Sequence, residues 1–134
     1  MRRIEVRTER AVQALDVTDA ITTHRWPDGW LILSAPHTTA ALILGENDPE
    51  MLEDYEKVAA GLPAPFEPFK HHRNDNPNAA AHVISSLAGT QLILSVEAGQ
   101  VVLGTWQRII FIELDGPKTR TILCGSAAAQ LVEG

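Results

Sequence analysis

The segment from Gln91 to Cys124 constrains the fold of this 134-residue chain more than any other. It consists of short apolar runs separated by turns at 97–100 and 115–118. The Ala-Gly and Asp-Gly pairs in these turns are typical of β-hairpins. We therefore predict an antiparallel meander, whose strands cover residues 91–96, 101–103, 106–114 and 121–124.

The chain before Gln91 adds further strands and two clear helices. Alternating polar and apolar residues predict a strand at 3–7, and 11–17 is a second candidate that leads into a short helix at about 18–24. The apolar runs 30–36 and 39–44 form two strands, or one strand with a bend at Pro36-His37-Thr38. Asp48 and Pro49 are typical of an N-cap and first turn, which predicts a helix ending at Gly61. A second helix spans 78–87 and stops at Gly89. Strands, then helices, then a meander indicate an α+β fold, with residues 1–134 as a single domain.

Charge and composition exclude several classes of partner. There are 11 Lys and Arg against 17 Asp and Glu, and aromatic residues make up 5% of the chain. Such a chain lacks the positive field and the stacking platforms that nucleic-acid binding requires, so we expect no nucleic-acid or membrane partner. The apolar runs are too short to span a bilayer and no signal peptide is evident, which predicts a cytoplasmic protein. Cys124, the only cysteine, is interpreted as a small buried apolar residue.

The histidines mark the candidate site. Four of the five lie within residues 37–82. His82 shares a helix face with Asn78 and Ser86 at i, i+4 spacing. His71 lies in the proline-rich segment 62–77, which we predict to be an ordered functional loop. His37 lies at the break between two apolar runs.

Further polar groups join this site if the segment before the helix that starts at Asp48-Pro49 closes on it. Glu46 and Asn47 precede a helix N-terminus, Asp54 lies on that helix, and Gln107 interrupts an apolar strand. Three histidines with Asp, Glu and Asn suit a divalent metal or a general acid–base pair. Their spacing matches no known zinc motif.

Several segments together resemble the YjbQ-like family, also called secondary thiamine-phosphate synthase enzymes. They are Pro36-His-Thr-Thr-Ala-Ala-Leu42, Glu46-Asn47, Phe69-Lys-His71, Asp75-Asn76, Ala81-His-Val-Ile-Ser-Ser-Leu-Ala-Gly89, and Leu103-Gly-Thr-Trp-Gln107 with Ile109 and Glu113. The resemblance runs from about His37 to Arg120, with the motifs in family order.

The resemblance implies a compact α+β domain with an antiparallel sandwich or barrel-like sheet, two to three helices, and a homotrimer with sites near subunit boundaries. The implied activity joins hydroxymethylpyrimidine diphosphate to a thiazole phosphate and releases pyrophosphate. The implied catalytic residues are His37, Asn47, His71, Asp75 and His82. We assign substrate binding to Thr38, Glu46, Asp54, Arg73, Asn76, Ser86 and Gln107. The resemblance carries Asp54, Asn76, Ser86 and Gln107, whereas Arg73 is assigned for its charge. From the residues themselves, His37, His71 and His82 are the candidate ligands of a divalent metal, Mg²⁺ or Zn²⁺. The substrate is expected to be small and phosphorylated.

Two alternatives stay open at this point. One is a metal-dependent hydrolase of a small substrate, and the other is a non-enzymatic trimer that binds a metal or an anion. The loop also departs from the family pattern, because it reads His71-His-Arg-Asn-Asp-Asn76 where relatives often have Asn after the first His and Gly after the acidic residue. The substrate preference is therefore open. His72 matches no family position and is predicted to be dispensable, and His24 is assigned to a helix surface.

Overall fold

The computed structural model describes residues 1–71, 77–130 and 132, which contain eight strands and three α-helices. The strands are β1 (Arg2–Arg7), β2 (Gln13–Asp16), β3 (Gly29–Ser34), β4 (Ala40–Gly45), β5 (Gln91–Glu97), β6 (Gln100–Val102), β7 (Arg108–Glu113) and β8 (Thr119–Ala127). The helices are α1 (Thr18–Thr22), α2 (Pro49–Gly61) and α3 (Ala79–Ala88), and a 3-10 turn covers Ala64–Phe66. The predicted α+β fold is confirmed.

The strands form two antiparallel sheets that lie face to face. One sheet has five strands in the order β1-β8-β3-β5-β6, and the other has three in the order β2-β7-β4. The runs 30–36 and 39–44 are thus two strands, and they belong to different sheets. The bend at Pro36–Thr39 carries the chain from one sheet to the other.

Strand β7 shows how one strand serves two cores. Ile109 and Phe111 face the five-stranded sheet and belong to the larger core between the sheets. Ile110 and Ile112 face the opposite side and belong to a second core beneath the helices. Both faces of this central strand are buried, which explains why its sequence is a continuous apolar run rather than an alternating one.

The helices form a third layer on the three-stranded sheet. Helix α2 packs against β2, and α3 packs against β4. Asp48 caps α2 as predicted, since its carboxylate accepts a hydrogen bond from the Met51 N–H at 2.7 Å. The buried Ser85 hydroxyl donates to the Ala40 carbonyl at 2.6 Å and so fastens α3 to the sheet edge. No helix in residues 1–71 and 77–130 is long and apolar enough to cross a membrane.

Several strand ends differ from the sequence prediction by one to three residues, and two of the differences have a clear cause. Strand β7 begins at Arg108 rather than at 106, because Gln107 closes a turn with Gly104. Its side-chain oxygen accepts the Gly104 N–H at 2.9 Å. Strand β8 continues to Ala127, because it pairs with β3 as well as β1. Cys124 is buried in this strand as predicted, and burial raises the pKa of its thiol.

Candidate functional site

His37 is held in a defined orientation between the two sheets. The imidazole is half-buried, and its Nε2 accepts a hydrogen bond from the Thr121 backbone N–H at 3.0 Å. A ring nitrogen that accepts a hydrogen bond carries no proton, so the proton of the neutral ring lies on Nδ1. In this state His37 offers a hydrogen-bond donor at Nδ1, and its Nε2 is not free to bind a metal.

A buried ion pair holds the segment that carries His37 in place through Thr39. The Arg120 guanidinium forms a bidentate pair with the Glu113 carboxylate, through Nε–Oε1 at 2.9 Å and through Nη2–Oε2. Arg120 also donates to the Thr39 hydroxyl at 2.9 Å and to its carbonyl at 3.1 Å. The Thr8 hydroxyl donates to Glu113 at 2.7 Å. This network fixes Thr39, two residues from His37, and so limits the freedom of the bend.

The sequence interpretation gave no role to Glu113 or Arg120. The signal was present, because each is a charged residue on the inward side of a strand otherwise filled by Ile, Phe and Cys. A charge at such a position is seldom tolerated without a partner. Two inward-facing charges of opposite sign indicate buried ion pairing. The pattern of each strand does not show, however, that Glu113 and Arg120 pair with each other.

The first expected result concerns the charge state of His37. Burial and the nearby Arg120 charge lower the pKa of His37. The unfolded chain, with a histidine pKa of about 6.5, takes up this proton at a higher pH than the folded chain. Stability should therefore rise with pH between the lowered pKa and the ordinary one, and His37 should contribute no slope above it. An NMR titration of the imidazole should give a midpoint below the ordinary value. The His37→Gln variant identifies the signal, and a midpoint at or above the ordinary value would contradict the assignment.

Among the predicted site residues, His71 and His82 lie next to each other and their rings are in contact. Their rings lie edge to face, with centroids 5.2 Å apart and planes at 86°. They line a cavity of about 270 Å³. Its remaining walls are Phe69, Lys70, Ala79 and Val83. The structure thus brings together two of the predicted histidines, one basic side chain and an apolar wall.

Asn78, His82 and Ser86 form a polar stripe on one face of α3. Asn78 and Ser86, at the two ends of this stripe, have mainly structural roles. Asn78 donates to the Asp115 carboxylate at 3.2 Å. The Ser86 hydroxyl donates to the backbone carbonyl of His82 at 2.9 Å, within the helix. Both side chains therefore have protein partners, and His82 is the member of the stripe that faces the cavity. Thr38 is exposed beside His37.

Asn47 lies in a different cluster, at the other end of the three-stranded sheet. Its amide donates to Asp16 at 2.7 Å, and Arg108 donates to the same carboxylate oxygen at 2.7 Å. Strand β4 separates Asn47 from the His37 bend, a length of about 17 Å for six residues. Gln107, next to Arg108, is also at this far end. Within the described residues Glu46 and Asn47 do not close on His37, because the extended strand β4 separates them. Their predicted roles in the site stay predictions.

Asp54 and Glu46 also lie away from the histidine cavity. Asp54 is exposed and lines a separate cavity between α2 and α3. Glu46 is exposed, and its backbone carbonyl accepts the Tyr55 hydroxyl at 2.9 Å. Three other predicted residues, Arg73, Asp75 and Asn76, lie outside the described residues together with His72. Their roles stay predictions.

The described residues do not assemble the three-histidine metal site. In residues 1–71 and 77–130, no three His, Cys, Asp or Glu side chains are grouped so that they could hold a metal ion. His71 and His82 form a pair, while His37 Nε2 is engaged by Thr121. A metal at this site would need ligands beyond these two rings.

Comparisons with known proteins confirm the family resemblance. Residues 2–128 match the model of the family described as "UPF0047 protein YjbQ-like". A UPF0047 protein of Archaeoglobus fulgidus is 37% identical over 121 residues, covering 90% of this chain and 95% of the relative. YugU of Bacillus subtilis is 33% identical, covering 90% and 94%. The solved structure of a hypothetical protein from Aeropyrum pernix superposes with a TM-score of 0.85 at 35% identity, covering 95% of this chain and 97% of that one.

Proposed function

The chain belongs to the UPF0047 YjbQ-like family, and from this premise we propose that it is a thiamine-phosphate synthase-type enzyme. It would join hydroxymethylpyrimidine diphosphate to a thiazole phosphate and release pyrophosphate. The observation that carries the proposal is the cavity in which the His71 and His82 rings meet beside Lys70.

The chemistry requires a group that stabilises negative charge. The thiazole nitrogen attacks the methylene carbon of the pyrimidine, and a C–N bond forms as the C–O bond to the diphosphate breaks. The electron pair of the broken bond leaves with the diphosphate. Positive charge and hydrogen-bond donors near the leaving oxygen lower the barrier to this step.

The cavity offers suitable groups for each part of this reaction. Lys70 supplies a positive charge, and the two imidazoles supply hydrogen-bond donors for the leaving diphosphate. Phe69, Ala79 and Val83 form an apolar wall that suits a flat pyrimidine ring. No step in this scheme is assigned to a metal ion.

The second expected result tests the histidine pair directly. His71→Ala and His82→Ala should each reduce the rate of thiamine phosphate formation about 100-fold or more, because each removes a donor close to the leaving group. His24→Ala is the control, since His24 contacts Trp26 on another part of the chain. It should keep the wild-type rate. Retained activity in both cavity variants would contradict the site, and a wild-type protein that forms no thiamine phosphate would contradict the function.

Metal analysis of the purified protein distinguishes this proposal from its alternatives. A requirement for added Mg²⁺ would agree with diphosphate chemistry. A stoichiometric Zn²⁺ ion would favour a metal-dependent hydrolase or a metal-binding module instead.

We also propose that the protein forms the homotrimer that its family resemblance implies, through the outer face of the five-stranded sheet. Trp30, Ile32, Ile93 and Val102 lie on this face and are exposed, and Ile93 retains 66% of its accessible surface. Ile32 and Ile93 are directly opposite each other on β3 and β5. A contiguous apolar patch of this kind is typical of a subunit interface.

The third expected result follows from this surface. Ile93→Asp should place a charge in the apolar contact, and the variant should be monomeric at concentrations where the wild type is trimeric. Light scattering after size exclusion gives the mass. Phe66→Asp, at an exposed residue in the 3-10 turn, is the matched control and should keep the wild-type mass. An unchanged mass for Ile93→Asp would contradict this interface.

A further inference from the structure

The hairpin between β7 and β8 contacts both of the elements that carry His37 and His82. It runs from Glu113, the last residue of β7, to Arg120 near the start of β8. His37 lies in the bend between β3 and β4, and His82 lies on α3. The two histidines are far apart in the sequence, so any support that they share must come from tertiary contacts.

Arg120 holds the bend that carries His37. Its guanidinium donates to the Thr39 hydroxyl at 2.9 Å and to the Thr39 carbonyl at 3.1 Å. The next residue, Thr121, donates its backbone N–H to His37 Nε2 at 3.0 Å. Arg120 is buried and paired with Glu113, so solvent does not compete for these hydrogen bonds. The bend is therefore fixed on the hairpin both through its backbone and through the imidazole.

Asp115 holds the start of α3 on the same hairpin. Its backbone N–H donates to Glu113 Oε2 at 3.1 Å. Its carboxylate accepts hydrogen bonds from the Asn78 amide at 3.2 Å and from Lys118 Nζ at 2.9 Å. Asn78 directly precedes α3, and its carbonyl accepts the backbone N–H of His82 at 3.2 Å. A continuous series of contacts thus leads from Glu113 to the helical turn that carries His82.

A second contact holds α3 three residues after His82. The buried Ser85 hydroxyl donates to the Ala40 carbonyl at 2.6 Å. Ala40 directly follows the threonine that Arg120 binds. The two attachments of α3 therefore lie on either side of His82, and both lead back to the buried ion pair. Two fixed points on one helix hold the side chain between them in a defined position.

We infer that the Glu113–Arg120 pair positions both histidines, and that Asp115 is the positioning residue through which the pair acts on His82. Loss of the Asp115 carboxylate should release the start of α3 and move the His82 ring away from His71. Functional groups need to be held within about 0.5 Å by the residues that support them. The inference rests on the proposed function only in taking the histidine cavity as the site, and its first test requires no reaction.

The NMR cross-peak between the ring protons of His71 and His82, recorded on the whole protein, tests the role of Asp115. Asp115→Ala should lose this cross-peak. Asp115→Asn should keep it, because an amide oxygen can still accept the hydrogen bond from Asn78. Lys118→Met is the matched control, since it removes the same ion pair but leaves Asn78 bound, and it should also keep the cross-peak. A cross-peak retained in folded Asp115→Ala, or lost in Lys118→Met, would overturn the role of Asp115.

Pyrophosphate affinity, measured by calorimetry, gives a second readout of the same link. Asn78→Ala removes the hydrogen bond from the helix side. Asn78→Ala, Asp115→Ala and the double variant should therefore each weaken pyrophosphate binding by a similar amount, about tenfold. Additive losses in the double variant would overturn the link between the two residues. A wild-type protein that binds no pyrophosphate would contradict the proposed function, whereas the ring-proton cross-peak would still decide this inference.

The histidine signals that move in each variant test the shared support. Glu113→Gln should shift the ring signals of both His37 and His82, whereas Asp115→Ala should shift those of His82 alone. Thr8→Val removes one hydrogen bond from the Glu113 carboxylate and should give a smaller shift of both, which provides the test if Glu113→Gln does not fold. Movement of only one histidine in the folded variant of Glu113 or Thr8 would overturn the shared support.

Discussion

Replacing Arg120 by Met is expected to lower the free energy of unfolding by about 3–5 kcal/mol. Arg120 is 4% exposed and Glu113 is fully buried, so the substitution leaves a carboxylate in the interior without its cation. The lost hydrogen bonds to Thr39 also free the bend that carries His37. Urea unfolding followed by circular dichroism measures the loss.

The exposed pair of Arg7 and Glu5 provides the control. Their nitrogen and oxygen are 2.8 Å apart, but both side chains are mostly in solvent. Arg7→Met should therefore change stability by less than about 1 kcal/mol. A similar loss of unfolding free energy for both substitutions would contradict the prediction, because it would show that burial does not make the Glu113–Arg120 pair more important for stability than an exposed pair.

The same pair predicts a dependence on pH. Burial acts to raise the pKa of Glu113, but hydrogen bonds from Arg120, Thr8 and the Asp115 backbone lower it overall. The unfolded chain then takes up this proton at a higher pH than the folded one. The stabilisation is present above the ordinary glutamate pKa and is lost as pH falls through the lowered value. In Arg120→Met, the part of the acid-induced loss of stability that comes from protonation of Glu113 should be smaller.

Replacing Phe111 by Ala is expected to cost about 3–5 kcal/mol. Phe111 has no accessible surface and lies between the sheets, opposite Leu15 on one side and Leu42 on the other. Its removal leaves a cavity that rigid strands on both sides cannot close. The measurement is again urea unfolding.

Phe66→Ala is the matched control for this substitution. Phe66 is 71% exposed in the 3-10 turn, so its truncation should change stability by no more than about 0.5 kcal/mol. A loss below about 1 kcal/mol for Phe111→Ala would contradict the packing described here, since a fully buried ring contributes more than that.

Short-range sequence signals predicted the ends of helices correctly where the residue that makes the stabilising contact is close in the chain. Asp48 caps the helix that begins one residue later, so the start of α2 could be predicted from two adjacent residues. Gly89 has a φ of 92°, which favours glycine, and α3 ends there as expected. The start of β7 was misplaced because the Gln107 turn depends on a side-chain contact with Gly104 that alternation does not reveal.

The sequence predicted only part of the arrangement of the candidate site residues, because some of their contacts depend on long-range strand pairing. The His71 ring, on the loop, lies next to the His82 ring, on α3, and their role in a shared site stays a prediction. Asn47 would join His37 only if the segment before α2 closed on it, and the extended strand β4 keeps the two residues at opposite ends of a sheet. Sequence spacing gives the length of a strand, yet it does not give the neighbours that each end will have.

The sequence alone therefore determined the order and type of the elements, the family, and which residue types carry chemistry. The elements depend on capping, turn residues and periodicity, which act over a few residues, and the family follows from the resemblance of several motifs along the chain. Only the tertiary structure decided which strands share a sheet, that Glu113 and Arg120 form a buried pair, and that Thr121 occupies His37 Nε2. Those contacts join residues far apart in the chain, and the long-range antiparallel register that creates them has no local signal in the sequence.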